Sequence, residues 1–278
     1  LIKNKSKKIE TDNRFRDFEN SLVNVADIED FLKFLVYGRS GTGKTTILGS
    51  LPKPLLYLDV KDKGTKSIKN TEGIVVKQIK NWEDFETAYW YLKSHSDKYK
   101  SVVIDTVTQL QDVCLKKVKR VKGSEDDEGL VSKTSRQAFG EASEMMKTWI
   151  INYRDLPMVV GFAAQDRLKA SDEESDDMDV LIPEVGPYVM PSIAKILNAA
   201  VDIIGQAFVR EVEKKVKNKE TGKIKTISTV EYCLRVGPHP IFTTKFRRDP
   251  SIKGEIPNII VNATCGKLIK ISNGEDGK

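Results

Sequence analysis

The chain is poor in the residues that staple or metallate small proteins. Its 278 residues include three cysteines (Cys114, Cys233, Cys265), none in a C-x-x-C pair, and two histidines. That supply argues against a disulfide framework and against a zinc site, and free thiols in a reducing compartment are the simpler expectation. Long apolar runs are missing too. No stretch approaches the roughly 20 residues of a membrane span, and the opening "LIKNKSKKIE" lacks the apolar core of a signal peptide. The expectation is a soluble, cytoplasmic protein with no membrane partner. There is no internal repeat. Neither sign of charge dominates: 46 Lys and Arg face 40 Asp and Glu, a formal excess of +6. So mild an excess permits a nucleic-acid partner without demonstrating one, because only clustered charge makes a strong local field.

What is present is enough apolar material, 39% of residues, for one large α/β domain. Short apolar runs at "KFLVYG", "PLLYLDV", "IVVKQI", "SVVIDTV", "MVVGFAA" and "DIIGQAFV" predict strands. Most lack strict alternation, as parallel strands covered on both faces do. Between them, "NWEDFETAYWYLKSH" sets Trp82, Phe85, Tyr89 and Leu92 on one helical face behind an Asn81 cap. "SRQAFGEASEMMKTWIINYR" carries Ala138, Met145 and Trp149 in the same way; these large side chains predict core. After residue 200, "DIIGQAFVREVEKKV" and "IKTISTVEYCLRV" flank the polar turn "KNKETGK" and predict an antiparallel hairpin. The organisation expected is an N-terminal extension over 1–32, an α/β domain over 33–265 and a polar tail over 266–278. Within the extension, Phe15, Phe18, Leu22, Val25 and Ile28 share a helical spacing suited to packing on the main domain or to a partner.

The chemistry is concentrated in "GRSGTGKTT". It fits G-x-x-x-x-G-K-[ST], with Gly38, Arg39, Ser40, Gly41, Thr42, Gly43, Lys44, Thr45 and Thr46 following a buried strand and opening a helix. Glycines let such a loop wrap a phosphate with its N–H groups turned inward. In that context Lys44 reaches the β- and γ-phosphates and the Thr45 hydroxyl ligates Mg²⁺, so ATP and Mg²⁺ are the expected cofactors. A second strand ends "SVVIDT", and Asp105 then sits at the sheet edge beside the phosphates, where a carboxylate holds the hydrated Mg²⁺.

Over roughly residues 33 to 260 the sequence resembles the RecA-like P-loop ATPases, most closely the small single-domain members encoded by bacteriophages. The resemblance is carried by "GRSGTGKT", "PLLYLDVKDKGTKSI", "NWEDF", "SVVIDTVTQL", "MVVGFAAQDR", "PEVGP" and "TKFRRDP", in that order. It implies an α/β fold in which a twisted, mostly parallel sheet lies between helices, with a further strand between those bearing Lys44 and Asp105. The hairpin would extend it toward the C-terminus. It also implies Gln165 as the residue that senses the γ-phosphate, and Lys245 and Arg247 as a K-x-R pair presented to the nucleotide of a neighbouring subunit. The departure lies after the second strand. Where such enzymes place a water-activating glutamate this chain has Lys61, leaving Asp59 or Asp62 to serve instead, or Lys61 to pair with an acid of the neighbouring subunit. Losing that help costs about two to four orders of magnitude in rate, so slow hydrolysis is expected.

The resemblance further implies DNA-contacting loops at 115–135 and 166–186. The first holds Lys116, Lys117, Lys119, Arg120 and Lys122; the second contains "SDEESDDMD" (171–179), whose charge repels a phosphate backbone. The leading expectation is an ATP-dependent protein acting on single-stranded DNA in phage-type recombination, annealing or repair, homo-oligomeric and working in the host cytoplasm. The alternative is a regulatory or assembly P-loop protein with a protein partner. A small-molecule phosphotransferase would need an arginine-bearing lid that the sequence does not offer.

Overall fold

Alternation along the central strands decides the architecture of the computed structural model, which describes residues 14–27, 31–61, 63–121, 135–169, 184–217 and 224–275. The chain divides into two compact units, 1–31 and 32–278. In the first, residues 14–20 are helical (α1), so the predicted amphipathic helix is present at Phe15 and Phe18 but ends before Leu22 and Val25, while Ile28 lies outside the described residues. The second unit carries the sheet. In β1 (Lys33–Tyr37), Leu35 and Tyr37 enter one hydrophobic cluster while Phe34 and Val36 enter another. In β4 (Ser101–Asp105), Val102 and Ile104 face the first cluster and Val103 the second. Successive side chains of a strand point to opposite faces, so a strand that is apolar throughout must be covered on both.

The covering helices follow from the same partition. α3 (Trp82–Ser94), α4 (Val107–Val121), α5 (Arg136–Arg154) and α6 (Pro191–Ala200) supply the first cluster. The Asn81 and Ser135 side chains cap α3 and α5 by accepting N–H bonds from Asp84 and Ala138. Trp82, Phe85, Trp149 and Tyr153 pack there as an aromatic group, with Phe85 stacked on Tyr153 at 4.6 Å. The opposite face is covered by α2 (Lys44–Leu48) and α7 (Cys265–Ser272).

The sheet runs β11–β9–β8–β1–β5–β4–β2–β3. Its parallel part comprises β8 (Ile203–Lys217), β1, β5 (Val159–Ala164), β4, β2 (Leu55–Val60) and β3 (Ile74–Ile79). β5 lies between β1 and β4, the interposed strand that the resemblance implies. β9 (Ile224–Arg235) pairs antiparallel with β8, and β11 (Ile259–Val261) with β9. The expected hairpin is therefore present, and its first strand is also a full member of the parallel sheet.

Three sequence expectations need correction. β3 is an edge of the sheet among the described residues, and Val75 and Val76, on its two faces, are exposed; "IVVKQI" reads the same whether or not its faces are covered. The stretch 166–186 begins and ends as a two-stranded ladder of β6 (Asp166–Lys169) and β7 (Glu184–Pro187), while the acidic segment 171–179 lies outside the described residues. The supposed polar tail contains α7, capped by Thr264, with Cys265, Leu268 and Ile271 buried. α7 is bonded to α2: the Cys265 N–H donates to Ser50 Oγ at 2.7 Å and its thiol to the Ile47 carbonyl at 3.2 Å. Leu268→Ala is therefore expected to cost about 2–5 kcal/mol of stability in urea unfolding. A residue in a solvated tail would change it by no more than about 0.5 kcal/mol.

Candidate nucleotide site

Gly38 follows β1 directly, and its N–H donates to the Ala164 carbonyl at the end of β5. Backbone closeness explains the glycine: a Cβ there would stand 2.3 Å from the Ala207 carbonyl oxygen on β8. Gly43 has φ of 87° and precedes α2 without a side-chain cap, so the first-turn N–H groups of α2 are not taken by a capping side chain. The Lys44 ammonium lies back over the loop, donating to the Gly38 and Arg39 carbonyls at 2.8 Å each. Thr42 Oγ1 donates to the Arg39 carbonyl and closes the turn.

Beside the loop, Thr45 Oγ1 donates to Asp105 Oδ2 at 2.8 Å. Tyr57 on β2 donates its phenolic O–H to the same oxygen. Burial, then the Asp105 charge, pushes the Tyr57 hydroxyl far above its ordinary pKa, so it stays a donor. A threonine hydroxyl and a carboxylate brought together at the mouth of a phosphate-sized loop are a hard-oxygen donor set, which suits Mg²⁺.

The cavity here measures about 600 Å³ and is lined by the loop, Asp105, Gly64 and Ser67. Its remaining wall was not legible in the sequence: Tyr232 from β9, and Asn262, Ala263 and Thr264 from the β11–α7 connection. Tyr232 would touch a Cβ on Gly43 at 3.4 Å, and its carbonyl accepts the Asn262 N–H at 2.7 Å. These residues lie roughly 190 to 220 positions beyond the loop, and no motif spacing announces them.

The other predicted residues are placed as follows. Asp59 lies opposite Asp105 in the sheet and is buried, with its oxygens engaged by the Lys63 N–H, the Gln78 amide and Thr65 Oγ1. It anchors the following loop rather than facing the cavity as a free base. Asp62 lies outside the described residues. Gln165 follows β5, one residue from the carbonyl that Gly38 contacts; its N–H donates to Thr108 Oγ1 at 3.0 Å. Lys245 begins β10 (Lys245–Phe246), which pairs with β8 at Ile203 and Ile204. That is the opposite edge of the sheet from Gly38. The Lys245 ammonium bonds the Asn198 and Val201 carbonyls at the end of α6, and Arg247 pairs with Asp202 at 3.1 Å. Neither reaches the cavity of its own chain.

A parallel sheet with a glycine-rich loop on its first strand, and a Thr–Asp pair at that loop's mouth, defines a P-loop ATPase. The chain belongs to the AAA domain family AAA_24, which it matches over residues 30–248. No curated protein matches it. Among solved structures it is similar to a KaiC-like protein from the hyperthermophilic archaeon Pyrococcus horikoshii OT3. The two share 11% identity at a TM-score of 0.36, covering 74% of this chain and 86% of that one.

Tyr232→Ala should weaken ATP binding measured by calorimetry by about 5- to 150-fold, the 1–3 kcal/mol of a base stack on an aromatic. Affinity for inorganic tripolyphosphate should stay unchanged. Equal losses for both ligands would show that Tyr232 supports the loop and not the base.

Proposed function

We propose that the protein binds ATP with Mg²⁺ and acts as a RecA-like ATPase on single-stranded DNA, in recombination, annealing or repair of the phage type. ATP would lie between subunits of a homo-oligomer. The observation that carries the nucleotide half is the 2.8 Å bond between Thr45 and Asp105 beside a cradle already holding the Lys44 ammonium. When bound there, Mg²⁺ supplies positive charge to the phosphate oxygens. Thr45 and Asp105 would hold it, Tyr57 keeps the carboxylate oriented, and Lys44 offers its cation to the terminal phosphates. Gln165, beside the strand that contacts Gly38, is suited to sensing the γ-phosphate.

The intersubunit half draws support from the K-x-R pair. At the far edge of its own sheet it has no nucleotide to serve within the chain. Arg247 is 62% exposed at its side chain, so its pair with Asp202 is worth about 0–1 kcal/mol and can be exchanged for a phosphate. Lys245 is more committed. Its ammonium closes the last turn of α6, and desolvation lowers its pKa. Arg247 is therefore the cleaner probe.

One observation favours a second reading, a regulatory or assembly P-loop protein with a protein partner. Lys61 stands in the place of the water-activating glutamate, and nearby Asp59 is engaged in holding the loop. In that reading, bound nucleotide stabilises an assembly with little turnover.

The ATPase rate, measured with and without single-stranded DNA at several protein concentrations, separates the two. Stimulation by DNA with a concentration threshold supports the first; a flat, slow rate supports the second. Arg247→Ala should abolish ATP-dependent assembly, read by analytical ultracentrifugation, while the monomer's affinity for ATP is preserved. An equal fall in monomer affinity would place the residue's action in its own subunit.

A further inference from the structure

A second recess lies along the same edge of the sheet as the nucleotide cavity, where the parallel strands end. Its volume is about 200 Å³, and it is lined by Lys61 after β2, Lys80 after β3, and Lys116, Lys117 and Arg120 on α4, with Trp82, Glu83 and Val113 between them. Val113, Lys116, Lys117 and Arg120 share one face of α4 by their three- and four-residue spacing. The lining holds five cationic side chains and one carboxylate, Glu83, which both Lys117 and Arg120 engage. Among the described residues, Lys61, Lys80 and Lys116 are exposed and make no ion pair. Gathering like charges on one surface is unfavourable until an anion arrives, and apolar walls such as Val113 sharpen the field.

We propose that this recess is a phosphate-backbone site for single-stranded DNA. The assignment rests on the DNA reading under "Proposed function": Lys116, Lys117 and Arg120 come from the stretch 115–135 that the resemblance implies, which is helical in α4 as far as Val121, and the fold adds Lys61 and Lys80 to them. Three features select the occupant. The cations come from three chain segments, the ends of β2 and β3 and one face of α4, which meet at this recess. The recess is smaller than the roughly 300–1,000 Å³ that encloses a small-molecule ligand, so an anion is held across it as part of a longer chain. The one aromatic in the lining, Trp82, is buried at 1% exposure with its indole N–H donating to Glu86, so no ring is offered to a base. Contacts go to phosphates, and binding is independent of sequence.

The test compares wild-type protein, K80E/K116E and a control, K195E/K253E, which changes net charge equally at exposed lysines outside the recess. Each is titrated into a fluorescein-labelled oligothymidylate over a series of salt concentrations, after thermal melts and ATP calorimetry establish that it is folded. The K80E/K116E variant should bind about tenfold or more weakly, with a log–log salt slope shallower by about 1.4, the share of two single-strand phosphate contacts. The control should match the wild type. If the wild type binds and K80E/K116E binds equally well, or the control loses as much, the recess is not the site while the DNA reading stands. If the wild type shows no salt-dependent binding, the DNA reading fails and the recess assignment falls with it.

Discussion

The bond between Thr45 Oγ1 and Asp105 Oδ2 joins positions 60 residues apart, and the arrangement of the sheet makes it possible. Thr45 is carried by the start of α2, after the turn that follows β1, and Asp105 by the end of β4, with β5 between β1 and β4. Both strands end at one edge because the sheet is parallel there, and both are buried because helices cover each face. A slip of one residue in β4 would turn Asp105 away from the loop and send Val102 and Ile104 into the wrong cluster. Packing of the apolar core and placement of the acid are thus one constraint. Tyr57 adds to it, since β2 must hold register with β4 for its hydroxyl to reach the same oxygen.

The second face of the sheet matters for a different reason. α2 has only five residues, too few to be stable by its own hydrogen bonds. Its position depends on Ile47 and Leu48 packing into the cluster shared with α7, and on the bonds from Cys265 to Ser50 and Ile47. A helix from the chain's last residues therefore holds the one that begins with Lys44. The connection preceding it, at Asn262 and Thr264, lines the nucleotide cavity, so the C-terminal segment supports the site and forms part of its wall.

How legible each part was depends on how local its constraint is. The phosphate loop can be read from a short window because glycine freedom, a lysine and a hydroxyl are demanded within eight residues. Asp105 can be read because an acid closes an apolar run in a chain whose loop is suited to the phosphates that such an acid serves. The strand between β1 and β4 came from resemblance, and the sheet order agrees with it. β3 was misjudged because an edge strand and a central strand can share a sequence; only the missing neighbour distinguishes them. α7 was hidden by the lysines and asparagine around Leu268 and Ile271, although the Thr264 cap and a three-residue apolar spacing were available signals. Tyr232 and Asn262 had no signal at all, since β9 and β11 bring them to the loop by long-range pairing. Lys245 and Arg247 were recognised as a pair, but the carbonyls of α6 that hold the lysine could be found only in three dimensions.

The loop after β2 joins the nucleotide cavity to the basic recess. Lys61 and Lys63 both have positive φ, and Asp59 accepts the Lys63 N–H, so the chain turns sharply there under the control of a buried carboxylate. The turn sends its two sides to different places: Gly64 and Ser67 to the nucleotide cavity, Lys61 to the basic recess. Gly64 packs so near the cradle that a Cβ would lie 3.3 Å from Thr45 Oγ1. One short segment, held by one buried acid, is thus a wall of both cavities. An anion at Lys61 and a nucleotide at Thr45 would each press on that segment, and whatever free energy one site gains from the other's occupancy must be returned equally in the reverse direction. A glutamate at 61 would oppose the charge of the recess that this position lines. With lysine there, this position would add to the attraction of an anion in that recess.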